Sequence, residues 1–279
     1  TSALADTAAR WFDAIVVGSE KEWPERWTPA QRTAALFAAQ VRLDFAENSF
    51  EAAETMLNAA LHYCPDAPDA WQDTVQTVLI VALAGQPDKR IEARRLIDKL
   101  GSASTDRLLD LISSLSSLAA EAPSGTRGEL AVLQLAALAK LEQEDGPLDE
   151  NNRLRLPLVK AEALAAAGRL EEALLQYRQL ARQYPNNLKI HVDLAQMLLD
   201  GGTKSAYQQG LDEWSRIAKR CRRGTDEWYR AKYSIALAYL RLGKSKEAAQ
   251  RIRYWKATSD IDESTWKVKF DKLLANCEG

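Results

Sequence analysis

The residue types that usually carry chemistry are sparse in this 279-residue chain and poorly spaced for it. Metal ligation and proton transfer ask first for histidine, and the sequence holds two, His62 and His191. Each falls inside a helical pattern, with no Cys or second His at the spacing that a zinc site needs. Cys64, Cys221 and Cys277 are odd in number and scattered, which offers neither a disulfide framework nor a metal ribbon. The carboxylates Glu171-Glu172 and Glu142-Glu144-Asp145 are of the right type for general acid/base work, but they sit on polar segments where a solvated helix end accounts for them. Gly243-Lys244-Ser245 resembles the end of a phosphate-binding loop, yet the upstream Gly of that motif is Ala238 here and no strand precedes it. No Ser or Cys has a nucleophile elbow or a partner base. The expectation is a non-catalytic chain with no metal and no cofactor.

The elements that would hold such groups are helices throughout. Apolar residues make up 46% of the chain, Gly and Pro number only 13 and 9, and the Val/Ile/Thr alternation of strands is missing. Thr28-Pro29-Ala30-Gln31 starts a helix: the Thr hydroxyl accepts an orphan N–H, Pro loses nothing in the first turn, and Gln31 reaches back. That helix runs to about residue 47, and the next starts at Asn48 or Ser49 and stops before Pro65 and Pro68. Further helices are predicted near 69–84, 88–100, 104–121, 127–143, 150–167, 170–184, 188–200, 205–222, 226–242, 245–257 and 262–276, with one more over 2–17. Trp228, Tyr239, Trp255 and Trp266 recur among apolar residues at helical spacing and are assigned to packing. Trp11, Trp23 and Trp27 flank an acidic, irregular stretch at 18–25, expected to fold back on the first hairpin or to serve as a contact surface. The longest apolar run, 75–84, is too short to cross a bilayer, and no secretory leader is visible. Because the chain begins at Thr1 rather than Met, it is expected to be an excised domain or a processed product, and its localisation stays open.

Self-similarity organises these helices. Residues 154–187 read as two amphipathic helices around Gly168-Arg169-Leu170, with Ala161 in the first, Ala173, Tyr177 and Leu180 in the second, and Tyr184-Pro185-Asn186-Asn187 as the stop. A copy at 34–67 has Ala53, Leu57 and Ala60 after the turn Asn48-Ser49-Phe50. Gly168 to Gly202 spans 34 positions, although extra residues enter near 203–207, and a fourth copy at 229–262 keeps Ala236, Tyr239, Gly243 and Ala248. This pattern resembles the tetratricopeptide repeat. The stretch 68–150 fits more loosely, with longer breaks at Gly85-Gln86-Pro87 and Ala122-Pro123-Ser124-Gly125. The resemblance implies an all-α, right-handed α-α superhelix (solenoid) of about six to seven helical hairpins with a C-terminal capping helix, because one hairpin cannot bury its own apolar face. It is read as a single domain over 1–279, with acidic hairpins at 1–100, an irregular helical middle at 101–150, and basic hairpins with the cap at 151–279.

Charge is strongly divided along the chain. Residues 1–150 hold 13 Lys/Arg against 24 Asp/Glu, a net of −11, and residues 151–279 hold 24 against 15, a net of +9. The densest basic run is Arg216, Lys219, Arg220, Arg222 and Arg223, which suits a helix C-terminus. Nucleic-acid binding is not expected from it, since the whole-chain pI is about 5.9.

The resemblance implies that the first helix of each hairpin lines the binding face. Helical spacing on those helices then gives partner-binding candidates: Arg155, Leu158 and Glu162 on one, Lys189, Val192 and Gln196 on the next, and Arg230, Tyr233, Leu237 and Arg241 on a third. The equivalent N-terminal face, Ala35, Ala38, Arg42 and Phe45, is small and apolar. A subfamily that clamps the C-terminal carboxylate of chaperone peptides uses Lys and Asn where this chain has Ala38 and Arg42, so that adaptor role is not expected. The expected function is a scaffold binding a protein or peptide, favouring an acidic one, in its groove. The alternatives are a self-assembly module (homo-oligomer) driven by the opposed charges of the two halves, or a regulatory ligand-sensing domain of a larger protein.

Overall fold

A computed structural model describes residues 2–17, 26–45, 49–100, 104–144 and 148–278, and every regular element among them is helical. The fourteen α-helices among the described residues fall into two compact units, Thr1–Gly168 and Arg169–Gly279.

Unit 1 contains α1 (Ser2–Val17), α2 (Pro29–Phe45), α3 (Phe50–Tyr63), α4 (Asp69–Ala84), α5 (Arg90–Lys99), α6 (Thr105–Glu121), α7 (Ser124–Leu141) and α8 (Glu150–Ala166). The predicted capping box opens α2: Thr28 N–H donates to Gln31 Oε1 at 2.9 Å and Gln31 N–H to Thr28 Oγ1 at 3.3 Å. Gln31 Nε2 also donates to the Val16 carbonyl at 3.0 Å, which fixes the end of α1 at the start of α2. Ala34, Ala35, Ala38 and Ala39 are buried, so α1 and α3 approach α2 closely, and Arg42 is held by Asp13 of α1 at 3.0 Å.

Three hairpins follow in this unit, α2/α3, α4/α5 and α6/α7, and α8 packs on α7. Contacts between hairpins run α2 to α4, α4 to α6 and α5 to α7, so each lends its neighbour the apolar surface it lacks. Leu57, Ile80, Leu83, Ile97, Leu108, Leu111, Ile112 and Leu115 form one continuous core. Two buried charges tie hairpins together. Glu54 of α3 accepts from Gln86 and from Lys89, both at 2.8 Å, while Arg90 donates to the Ala84 carbonyl at 3.1 Å and pairs with Glu129 of α7. The stretch read as an irregular middle thus carries α6 and α7, a hairpin stacked on its predecessors. Its connections obscure the pattern: Pro87–Lys89 forms a 3-10 turn before α5, and Pro123 separates α6 from α7. Gly85 makes the first of these connections possible, because a Cβ there would overlap the Phe50 ring.

Unit 2 contains α9 (Leu170–Gln183), α10 (Leu188–Asp200), α11 (Lys204–Arg220), α12 (Asp226–Arg241), α13 (Ser245–Thr258) and α14 (Lys267–Glu278). Side chains of Asn187, Thr203 and Thr225 cap α10, α11 and α12 by accepting from the third residue onward. Gly243 has φ 78°, where a Cβ would be strained, and its N–H reaches Leu240 while that of Lys244 reaches Tyr239, a Schellman closure. The core gathers Trp214, Ile217, Trp228, Ile235, Ile252, Trp255, Trp266 and Phe270, which bears out the packing role read for the tryptophans. The expected cap is α14, packed on α12 and α13 with Phe270 and Leu273 buried. It starts later than the predicted 262 because a 3-10 turn, Asp260–Glu263, comes first.

The boundary between units lies at Gly168, the turn of the copy that follows the repeat pattern most fully. On either side of it, α8 packs on α7 and α9 on α10. The acidic stretch 18–25 lies outside the described residues, as does the side chain of Phe45.

Candidate functional site

The first helices of the unit 1 hairpins border one groove. Gln40, Leu43 and Asp44 of α2, Thr74, Thr77, Val78 and Val81 of α4, and Arg107, Asp110, Ser113, Ser114, Ser117, Leu118 and Glu121 of α6 enclose about 610 Å³. A further cleft of about 340 Å³ joins α6 to α8 through Asp106, Leu109, Asp110, Ser113, Asn152 and Arg155. Asp110 and Ser113 belong to both, so the lined face continues from α2 to α8.

The spacing of these residues shows why they converge. Gln40, Thr74, Asp110 and Asn152 form one ladder; Leu43, Thr77, Ser113 and Arg155 form a second, and Asp44, Val78 and Ser114 a third. Within every ladder the step is 34 positions from α2 to α4 and 36 from α4 to α6, and it is 42 from α6 to α8 where a ladder extends that far. Equal steps place the same face of each first helix toward the groove.

The lining is rich in hydrogen-bond acceptors. Thr74, Thr77 and Ser117 donate their hydroxyl protons back to the carbonyls of Ala70, Asp73 and Ser113, at 2.8, 2.8 and 3.3 Å. A hydroxyl so engaged keeps its lone pairs for an incoming donor. Arg107, in the same lining, is paired with Asp73 at 2.6 Å. Asp44, Asp110 and Glu121 form no ion pair or hydrogen bond with any described residue. Partial desolvation raises the carboxyl of the otherwise exposed Asp44 above its ordinary value. In the adjoining cleft the Arg155 Nε is buried without a hydrogen-bond partner among the described residues.

The residues chosen from sequence divide between the two units. Arg155 lines the α6–α8 cleft; Leu158 is half-buried on the same helix and Glu162 is exposed. The remaining seven lie in unit 2 and take part in its own packing. Lys189 pairs with Asp193 at 2.9 Å, Val192 and Leu237 pack on the core, and Arg230 lies 5.7 Å over the Trp214 ring. Tyr233 contacts Trp266 and Phe270, with ring centroids at 5.8 and 5.7 Å. Gln196 and Arg241 are brought together by Asp200, at 3.0 and 3.3 Å, and Arg241 also caps the Leu199 carbonyl and stacks over Tyr207. Of the N-terminal face considered from sequence, Ala35 and Ala38 are buried and Arg42 is committed to Asp13; the neighbouring face bearing Gln40, Leu43 and Asp44 borders the groove. The ladders were present in the sequence, but the 36-position step conceals them from a search at period 34.

His191 bonds Glu213 of α11 and lies 3.1 Å from the Pro185 carbonyl, while the exposed His62 meets the Tyr63 ring edge-on at 4.8 Å. Among the described residues no group of three His, Cys, Asp or Glu is arranged to hold a metal ion, and no helix is long and apolar enough to cross a membrane.

No family model matches the chain, and no curated protein matches it. Among solved structures it is similar to the crystal structure of a tetratricopeptide repeat protein from Parabacteroides merdae, at 15% identity and a TM-score of 0.36, over 89% of this chain and 99% of that one. The helices of this chain pair into hairpins, as the repeat pattern of the sequence predicts. The small residues of the pattern behave as helix packing requires, since Ala53, Ala60, Ala161, Ala173, Ala236 and Ala248 are all buried at relative exposures of 0%.

Proposed function

We propose that the chain is a non-catalytic protein-interaction scaffold whose unit 1 receives an extended peptide segment across α2, α4, α6 and α8. The ladders carry this reading: three or four first helices present equivalent positions to one open groove, at spacings that suit a strand of peptide reaching several helices in turn. A large side chain at the centre should close it. Panning a display library of random ten-residue peptides against the full chain, with a Ser114→Trp variant as counter-selection, is expected to retain peptides that the variant releases. Equal binding to both proteins would place recognition elsewhere.

The charge of the units favours a second reading. Unit 1 has 16 Lys/Arg and 25 Asp/Glu, a net of −9, and unit 2 has 21 and 14, a net of +7, so separate copies attract head to tail. Sedimentation separates the readings: concentration-dependent oligomers that dissolve in high salt support self-assembly, and a salt-indifferent monomer supports the groove. In the basic half, where an acidic ligand was expected, Lys189, Arg230 and Arg241 meet Asp193, Trp214 and Asp200.

A further inference from the structure

We infer that the unit 1 groove selects an extended segment bearing lysine or arginine, an inference that rests on the peptide-groove reading above. Two independent observations point the same way. The first is charge: Asp44 stands on the α2 wall and Asp110 and Glu121 on the α6 wall, each without a partner among the described residues, while Arg107 in the same lining is paired with Asp73. The second is hydrogen-bond polarity. The hydroxyls of Thr74, Thr77 and Ser117 spend their protons on their own helices, so what they offer the groove is lone pairs. Along α2, α4 and α6 the carboxylates and back-bonded hydroxyls bias the lining toward accepting; Gln40, Ser113 and Ser114 are its other polar groups, and Arg155 adds a cation at the α8 end. An acidic segment would meet repulsion and unmatched acceptors there, and an uncharged apolar one would strip water from three carboxylates with nothing in return.

An ammonium brings three donors and a guanidinium five, which satisfies such a lining. Leu43, Val78, Val81 and Leu118 lie among the acceptors, and the aliphatic stems of lysine or arginine can cover them while the charged heads reach the carboxylates. The partner is therefore a cationic, extended peptide segment of another protein.

The composition of the peptides retained in the panning experiment tests the inference. Retained sequences enriched in Lys and Arg are expected, with affinity falling as salt rises. For one such peptide, titrated by fluorescence anisotropy, the Asp44→Asn/Asp110→Asn double variant is expected to raise Kd about tenfold. Circular dichroism checks that the fold is unchanged, and Glu121→Gln alone, at an exposed position, is expected to give a smaller loss in the same direction. Retained peptides that are acidic or uncharged, or a double variant that binds as the parent does, would overturn the charge selection and leave the groove reading standing. If no peptide is retained, both fall. A salt-sensitive dimer abolished by the double substitution would assign the groove to a second copy of the chain and overturn the peptide proposal.

Discussion

Glu213 is buried, yet two donors from different directions reach it: His191 from α10, and Arg216 at 2.9 Å from its own helix. Truncating it to Ala removes the link between α10 and α11 and strands buried polar atoms, so Glu213→Ala is expected to cost about 1–3 kcal/mol in urea denaturation. Gly85 shows a different dependence. The ring of Phe50 occupies the space of its missing Cβ, and Gly85→Ala is expected to destabilise unit 1 by about 1–3 kcal/mol through overpacking, measured in the same way. Asp44 is informative through pH. Its carboxyl is raised by partial desolvation from the ordinary 3.8, so the fold binds that proton more tightly than the unfolded chain does. Its contribution to stability is greatest below 3.8 and declines as pH rises toward the folded value; Asp44→Asn should remove that slope and leave the protein no less stable at pH 7. Binding of a cationic segment has the opposite sign, since it needs the charged carboxylate and weakens as pH falls through the same range.

Helix ends were legible because the chemistry that makes them is local. Thr28 with Gln31, Asn187, Thr203 and Thr225 act within three residues of themselves, and a reader of the sequence needs nothing distant to place them. The choice of exposed face was not local. Which side of α2 remains open depends on α1 and α3 covering its alanines, and which side of α12 remains open depends on α14. Tyr233 is the case in point: at helical spacing it looks like a groove aromatic, but α14 brings Phe270 against it and Trp266 packs alongside. Phe270→Ala is therefore expected to cost about 3–5 kcal/mol, as for a large buried aromatic. Tyr233→Ala should lower the melting temperature in the same sense. An unchanged melting temperature for both would contradict the docking of α14 as an integral part of the unit 2 core.

At the scale of the whole chain, the hairpin class and its repeat pattern came from residues that stand at turns and helix contacts, among them Gly168, Gly243, Ala53 and Ala173. The groove came from register summed over four helices, where a two-residue lengthening between α4 and α6 and a longer connection before α8 break a fixed period without breaking the geometry. The charge division of the sequence carries over into the two units, net −9 and net +7. Cations of the basic half are in part consumed by internal pairs, while the acidic half keeps carboxylates uncommitted along an open face. Hydrogen exchange on the full chain, with and without a Lys/Arg-rich ten-residue peptide from the panning, tests this account most directly. It predicts added protection in α2, α4 and α6, at the turns carrying Gln40 to Asp44, Thr74 to Val81 and Asp110 to Glu121. Protection confined to α10 and α12, with those turns unchanged, would contradict it.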